Sequence, residues 1–120
     1  MTDHSLDLRL HDVLESITMA RREVADTTLD DFEHNRRKQL IVERCIEIIS
    51  EASRHLSADL KARHPAIPWS RVAGIGNVIR HNYERVAPDV LWSIIHDHLP
   101  AMEQVCREEL AARQGREAPP

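Results

Sequence analysis

Residues 41–56 read Ile41-Val42-Glu43-Arg44-Cys45-Ile46-Glu47-Ile48-Ile49-Ser50-Glu51-Ala52-Ser53-Arg54-His55-Leu56, and this stretch decides the fold class. Ile41, Cys45, Ile48, Ile49, Ala52 and Leu56 recur at three- and four-residue steps, which keeps one face of an α-helix apolar for roughly four turns. The spacing predicts a central amphipathic helix from about Asn35 to Ala62. Toward the N-terminus, Leu10, Val13, Leu14, Ile17, Ala20 and Val24 repeat the same period and predict a first helix over about Leu6 to Val24. Asp26-Thr27-Thr28 ends it. Either threonine can cap the segment that follows, with Asp30 and Asp31 favouring its positive end and Phe32 as its apolar anchor.

Toward the C-terminus, His64-Pro65-Ala66-Ile67-Pro68 cannot extend the central helix, because each proline lacks an N–H and forces its predecessor out of the α region. A further helix is predicted over Trp69 to His81. Gly74 and Gly76 each weaken it by about 1 kcal/mol relative to alanine, so they need a reason. Pro88 opens the last helical region, whose stripe of Leu91, Ile94, Ile95 and Leu99 continues through Met102, Val105, Cys106 and Leu110, with a kink or restart at Pro100. One domain over residues 6–110 is expected, followed by a flexible tail over residues 111–120 that lacks periodicity.

Composition supports an all-α reading. The chain has 120 residues, enough for one core, and only two Trp, one Tyr, one Phe and three Gly, which disfavours a many-stranded sandwich or barrel. Its net charge of −4 provides no global positive field for nucleic acid, so any RNA contact must be local. Eight histidines will move the net charge toward zero as the pH approaches 6. No apolar run exceeds three residues and no basic, apolar leader opens the chain, so a cytoplasmic protein without a membrane span is expected. Cys45 and Cys106 lie far apart in apolar stripes and read as reduced core thiols.

The run Ile67-Pro68-Trp69-Ser70-Arg71-Val72-Ala73-Gly74-Ile75-Gly76-Asn77-Val78-Ile79-Arg80-His81-Asn82-Tyr83 resembles the signature segment of the HepT-like branch of the HEPN superfamily. Ile48-Ile49-Ser50-Glu51-Ala52 upstream, and Val90-Leu91-Trp92 and Asp97-His98-Leu99-Pro100 downstream, extend the likeness over roughly Leu6 to Leu110. The resemblance implies an antiparallel bundle of four to five helices that pairs as a two-fold homodimer. It also implies the toxin of a bacterial toxin–antitoxin pair, a metal-independent ribonuclease without cofactor whose partner is a small nucleotidyltransferase antitoxin. The family's active motif is an arginine, usually followed by asparagine, with histidine five positions after the arginine and tyrosine two beyond the histidine. Asn77, His81 and Tyr83 match it, but Gly76 stands at the arginine position. By the same resemblance Tyr83 is where the antitoxin attaches AMP.

Metal-free RNA cleavage needs a base for the 2′-hydroxyl proton, an acid for the leaving oxygen and a cation for the charge building on phosphorus. His81 titrates near working pH. Asn77, four residues earlier on the same helical stripe, can orient the imidazole or bind phosphate. Arg80 is four residues after Gly76 and leans back over that turn, where the missing side chain leaves a path open, so it is the expected relocated cation. The same exchange is compatible with lost catalysis, which leaves open a noncatalytic module that binds a nucleotide, RNA or the partner, or a purely structural dimer.

Other clusters have ordinary readings. Glu43, Glu47, Glu51 and His55 form an i, i+4 line read as a solvated face, and His96 and His98 point in different directions, so no metal site is expected. Arg21-Arg22 and Arg36-Arg37-Lys38 are minor candidates for RNA or partner contact.

Overall fold

The computed structural model describes residues 3–81 and 86–117, and side chains over residues 4–79 and 86–115. The helices are α1 (Asp3–Glu23), α2 (Leu29–Glu33), α3 (Arg36–Arg54), α4 (Ala58–Arg63), α5 (Trp69–His81), α6 (Pro88–Ser93) and α7 (Leu99–Glu117), with a π-helical turn, Ile94–His98, joining α6 to α7. Among the described residues there is no strand, and no helix is long and apolar enough to cross a membrane.

Four long rods make an antiparallel bundle around α3. Lys38 at the start of α3 meets Glu23 at the end of α1, with Nζ 3.3 Å from Oε1. Asp7 near the start of α1 pairs with Arg113 near the end of α7, and Arg21 near the end of α1 lies 3.1 Å from Glu103 near the start of α7. The core that these rods share is aliphatic: Leu10, Val13 and Ile17 of α1, Val42 of α3 and Leu91 of α6 have no exposed surface. Burying each such side chain contributes about 1.5–3 kcal/mol, and together these terms hold the rods against one another.

The starts of α2 and α3 follow from their caps. Thr28 Oγ1 accepts from Asp31 N–H at 3.1 Å and starts α2, whose Phe32 is completely buried as expected. Asn35 Oδ1 accepts from Lys38 N–H at 3.0 Å and starts α3. Gln39 is fully buried, a position the apolar stripe did not single out. Its amide donates to Phe32 O at 2.8 Å and Glu33 O at 3.2 Å, which satisfies the last carbonyls of α2.

Several expectations are corrected. The central helix stops at Arg54 rather than Ala62, because Ser57 Oγ accepts from Leu60 N–H at 3.2 Å and starts α4. The bend brings both Leu56 and Leu60 into the core. The buried face of α3 is also wider than the stripe. Val42 and Ile46 are core while Ile41 is only partly buried, since α3 is covered by α1 on one side and α5 on the other. Helix α7 runs to Glu117 instead of fraying from Ala111, with Arg113 buried against Asp7.

At Pro100 the expected kink takes a specific form. In an α-helix the proline nitrogen would face His96 O without a hydrogen to offer, and its ring would press on that carbonyl. A π turn just before it, with Leu99 N–H donating to Ile94 O, accommodates the ring. The rod from Pro88 to Glu117 thereby stays continuous. Both cysteines are buried and free, and burial pushes the Cys45 thiol up and the Cys106 thiol up to about 12, so neither forms a thiolate at neutral pH.

Candidate active site on helix α5

Helix α5 starts where Pro68 releases the chain from the α4–α5 connection, and its first turn is tied down by Trp69. The indole Nε1–H donates to His64 O at 3.0 Å and Lys61 O at 3.2 Å, which joins the start of α5 to the end of α4. That corner is clamped to α7 by Glu109. Its buried carboxylate accepts from Arg63 Nη2 at 2.7 Å and from His64 Nε2 at 2.7 Å. The Arg63 hydrogen bond, reinforced by that of His64, outweighs burial and holds the Glu109 carboxyl below the usual carboxylate range.

Val72, Ile75 and Ile79 turn one side of α5 into the core, and Gly76 faces α3 at closest approach. Ser50 Oγ donates to Ala73 O at 2.9 Å and accepts from Gly76 N–H at 3.1 Å. A Cβ at position 76 would stand 2.7 Å from Ser50 Oγ and 2.8 Å from Ser50 Cβ, closer than such atoms come. Gly76 is therefore required by the approach of the two helices. Gly74 has no such reason, because nothing lies within 4 Å of a Cβ there. Ser50 fills the space where a Cβ at position 76 would stand.

The opposite side of α5 carries its more exposed positions among the described side chains. Gly74 borders it, Val78 is 57% exposed, and Asn77 lies partly exposed between Gly74 and the end of the helix. His81, the last residue of α5, is one turn after Asn77 and shares its stripe, while Arg80 is one turn after Gly76 on the shoulder nearer α3. The three positions thus fall on the last two turns of one helix. The side chains of Arg80 and His81 lie outside the described side chains, and Tyr83 lies outside the described residues.

The remaining clusters are structural. Of the carboxylate line expected to be solvated, Glu43 and Glu47 have side chains only 13% and 20% exposed and pair with Arg36 at 3.1 Å and Arg44 at 3.2 Å; only Glu51 and His55, 3.4 Å apart, form an open pair. Among the described residues no group of three or more His, Cys, Asp or Glu could hold a metal ion. The His96 ring stacks on Trp92 with centroids 4.1 Å apart. In the basic runs, Arg21, Arg36 and Lys38 each meet a carboxylate of the protein itself. Sequence reasoning gave Ser50 no role beyond the resemblance and passed over Arg54. The Arg54 guanidinium donates to Ala73 O through Nε at 3.1 Å and Nη2 at 2.8 Å, a contact between helices that no local spacing encodes.

Comparison with known proteins identifies the family. The family described as Ribonuclease HepT-like matches residues 13–109. A Methanocaldococcus jannaschii protein named as a candidate RNase is 29% identical over 104 residues, covering 87% of this chain and 95% of that protein. A Thermococcus cleftensis protein named as a candidate ribonuclease HepT is 32% identical over 94 residues, 78% of this chain and 86% of its own length. No solved structure is a significant match. With its helical bundle, and with the match spanning most of its length, the chain belongs to the ribonuclease HepT-like family.

Proposed function

We propose that this protein is a metal-independent endoribonuclease acting through His81, with Arg80 and Asn77 on the phosphate side, and that it is the toxin of a bacterial toxin–antitoxin pair. The observation that supports this most directly is the partly exposed face of α5 at Asn77, whose stripe carries His81 one turn on. Histidine is the side chain that both accepts and donates a proton near neutral pH, and an amide one turn away restrains it or binds a phosphate oxygen. Arginine supplies the planar fork for the anionic centre. In this reading the protein acts in the cytoplasm as a homodimer, and a nucleotidyltransferase antitoxin silences it by attaching AMP to Tyr83.

One observation favours a second reading. Ser50 fills the space beside Gly76, so no arginine can work from position 76. A bundle that has lost that cation would serve as a noncatalytic module that binds RNA, a nucleotide or the partner. Cleavage of single-stranded RNA in excess chelator separates the two. The ribonuclease reading expects wild-type cleavage that falls at least about 100-fold in His81→Ala; RNA bound and left intact by the wild type supports the module. The antitoxin assignment has its own readout. Incubation with the partner and ATP should add one AMP to the wild type and none to Tyr83→Phe, and an unmodified wild type would contradict it.

A further inference from the structure

Arg54 is the last residue of α3, where an arginine ordinarily serves the carbonyl end of its own helix. Here its guanidinium crosses to α5 and donates twice to Ala73 O. Its charge is also placed unlike that of six other arginines. Arg21, Arg36, Arg44, Arg63, Arg107 and Arg113 each meet a carboxylate, whereas among the described residues exposed Arg54 bonds only this neutral carbonyl. A guanidinium has five N–H donors, so those not given to Ala73 remain for an oxyanion.

Its location matters as much as its charge. Helical side chains lean toward the N-terminus, so a long side chain at position 76 would cover the turn containing Val72 and Ala73. The Arg54 guanidinium sits on that turn, at the carbonyl one turn before Asn77. Because α3 and α5 are antiparallel, Ser50 fills the Cβ space at 76 while Arg54, one turn further along α3, reaches the place to which that side chain would have extended.

We propose that Arg54 is a substrate-binding residue that holds a phosphate of a single RNA strand lying along the α3–α5 seam. This rests on the ribonuclease reading above and adds to it a cation from a different helix. Arg54 over Ala73 and Arg80 one turn beyond Gly76 bracket the glycine turn from its two ends, with His81 beside the second.

Steady-state cleavage of a single-stranded RNA oligonucleotide, together with RNA binding measured against salt, tests this. Arg54→Gln keeps an amide donor for Ala73 O but loses the charge. Its melting temperature should match the wild type, its KM should rise about tenfold with kcat within about twofold, and the slope of log affinity against log salt should become shallower by about 0.7. Arg54→Lys, which keeps the charge, should recover most of the KM. Wild-type KM and salt slope in Arg54→Gln, while the wild type cuts RNA normally, would overturn this inference alone. Equal impairment of folded Arg54→Lys and Arg54→Gln would also overturn it, by making Arg54 only a strut for α5. A wild type that neither binds nor cuts RNA would overturn the ribonuclease reading and this inference with it.

Discussion

On its α1 side, α3 shares a core of branched aliphatic side chains, Leu10, Val13 and Ile17 of α1 among them. On its α5 side, the contact is made by Ser50, Gly76 and the Ala73 carbonyl, with Arg54 at the edge. The first seam gains its stability from apolar area, which is non-directional and tolerates small shifts. The second fixes distance and rotation through hydrogen bonds to the α5 backbone, with two helices too close for a Cβ between them. The α5 helix is thus held at a defined rotation, and that rotation leaves Asn77 partly exposed. One seam supplies stability and the other supplies placement.

The largest effect should come from the apolar seam. Leu10→Ala, at a position with no exposed surface, is expected to lower unfolding free energy by about 3 kcal/mol, read from urea denaturation. The polar seam should respond to added rather than removed bulk. Gly76→Ala should cost about 2 kcal/mol by overpacking, and adding Ser50→Gly should recover part of that loss, because it removes the two serine atoms that the new Cβ would clash with. Simple additivity of the two losses would show that the contact with Ser50 is not what excludes a side chain at 76.

The smallest effect belongs to the corner that anchors the start of α5. Glu109→Gln should cost about 1 kcal/mol at neutral pH, because Arg63 is half exposed and the pair is partly screened. Its pH dependence has a defined sign. The Glu109 carboxyl is held below its ordinary value of 4.5, so its contribution is complete above that pH and is lost as the pH falls through the lower folded-state value. Denaturation curves from pH 7 down to about 3 should therefore converge for wild type and Glu109→Gln on the acid side. A gap that stays constant would contradict the ion-pair account.

The apolar periods reported the elements well, because three- and four-residue spacing is a local property. The range Trp69–His81, the cap at Thr28, the anchor Phe32 and the start at Pro88 all follow from nearest neighbours along the chain. What periodicity missed depends on two helices at once. Gln39 is buried because α2 ends above it, α3 buries serines because α5 approaches so closely, and the break at His55 exists because Leu56 and Leu60 must reach one core. The candidate site divides in the same way. The placement of Asn77, Arg80 and His81 on the last turns of α5 follows from local spacing, whereas Ser50 and Arg54 meet α5 only through the antiparallel register of α3 on it. Glycine at 76 likewise looked like an empty space until the serine that occupies it was placed.

The central claim is that α5 cuts RNA although glycine replaces the motif arginine, with Arg80 acting on the charge that builds at phosphorus. Single-turnover cleavage of single-stranded RNA in excess chelator by wild type and Arg80→Ala tests it most directly. The account predicts that the wild type cleaves and that Arg80→Ala is slower by about 100-fold or more at saturating enzyme. Cleavage by Arg80→Ala at the wild-type rate, or a wild type that leaves the RNA whole, would contradict it.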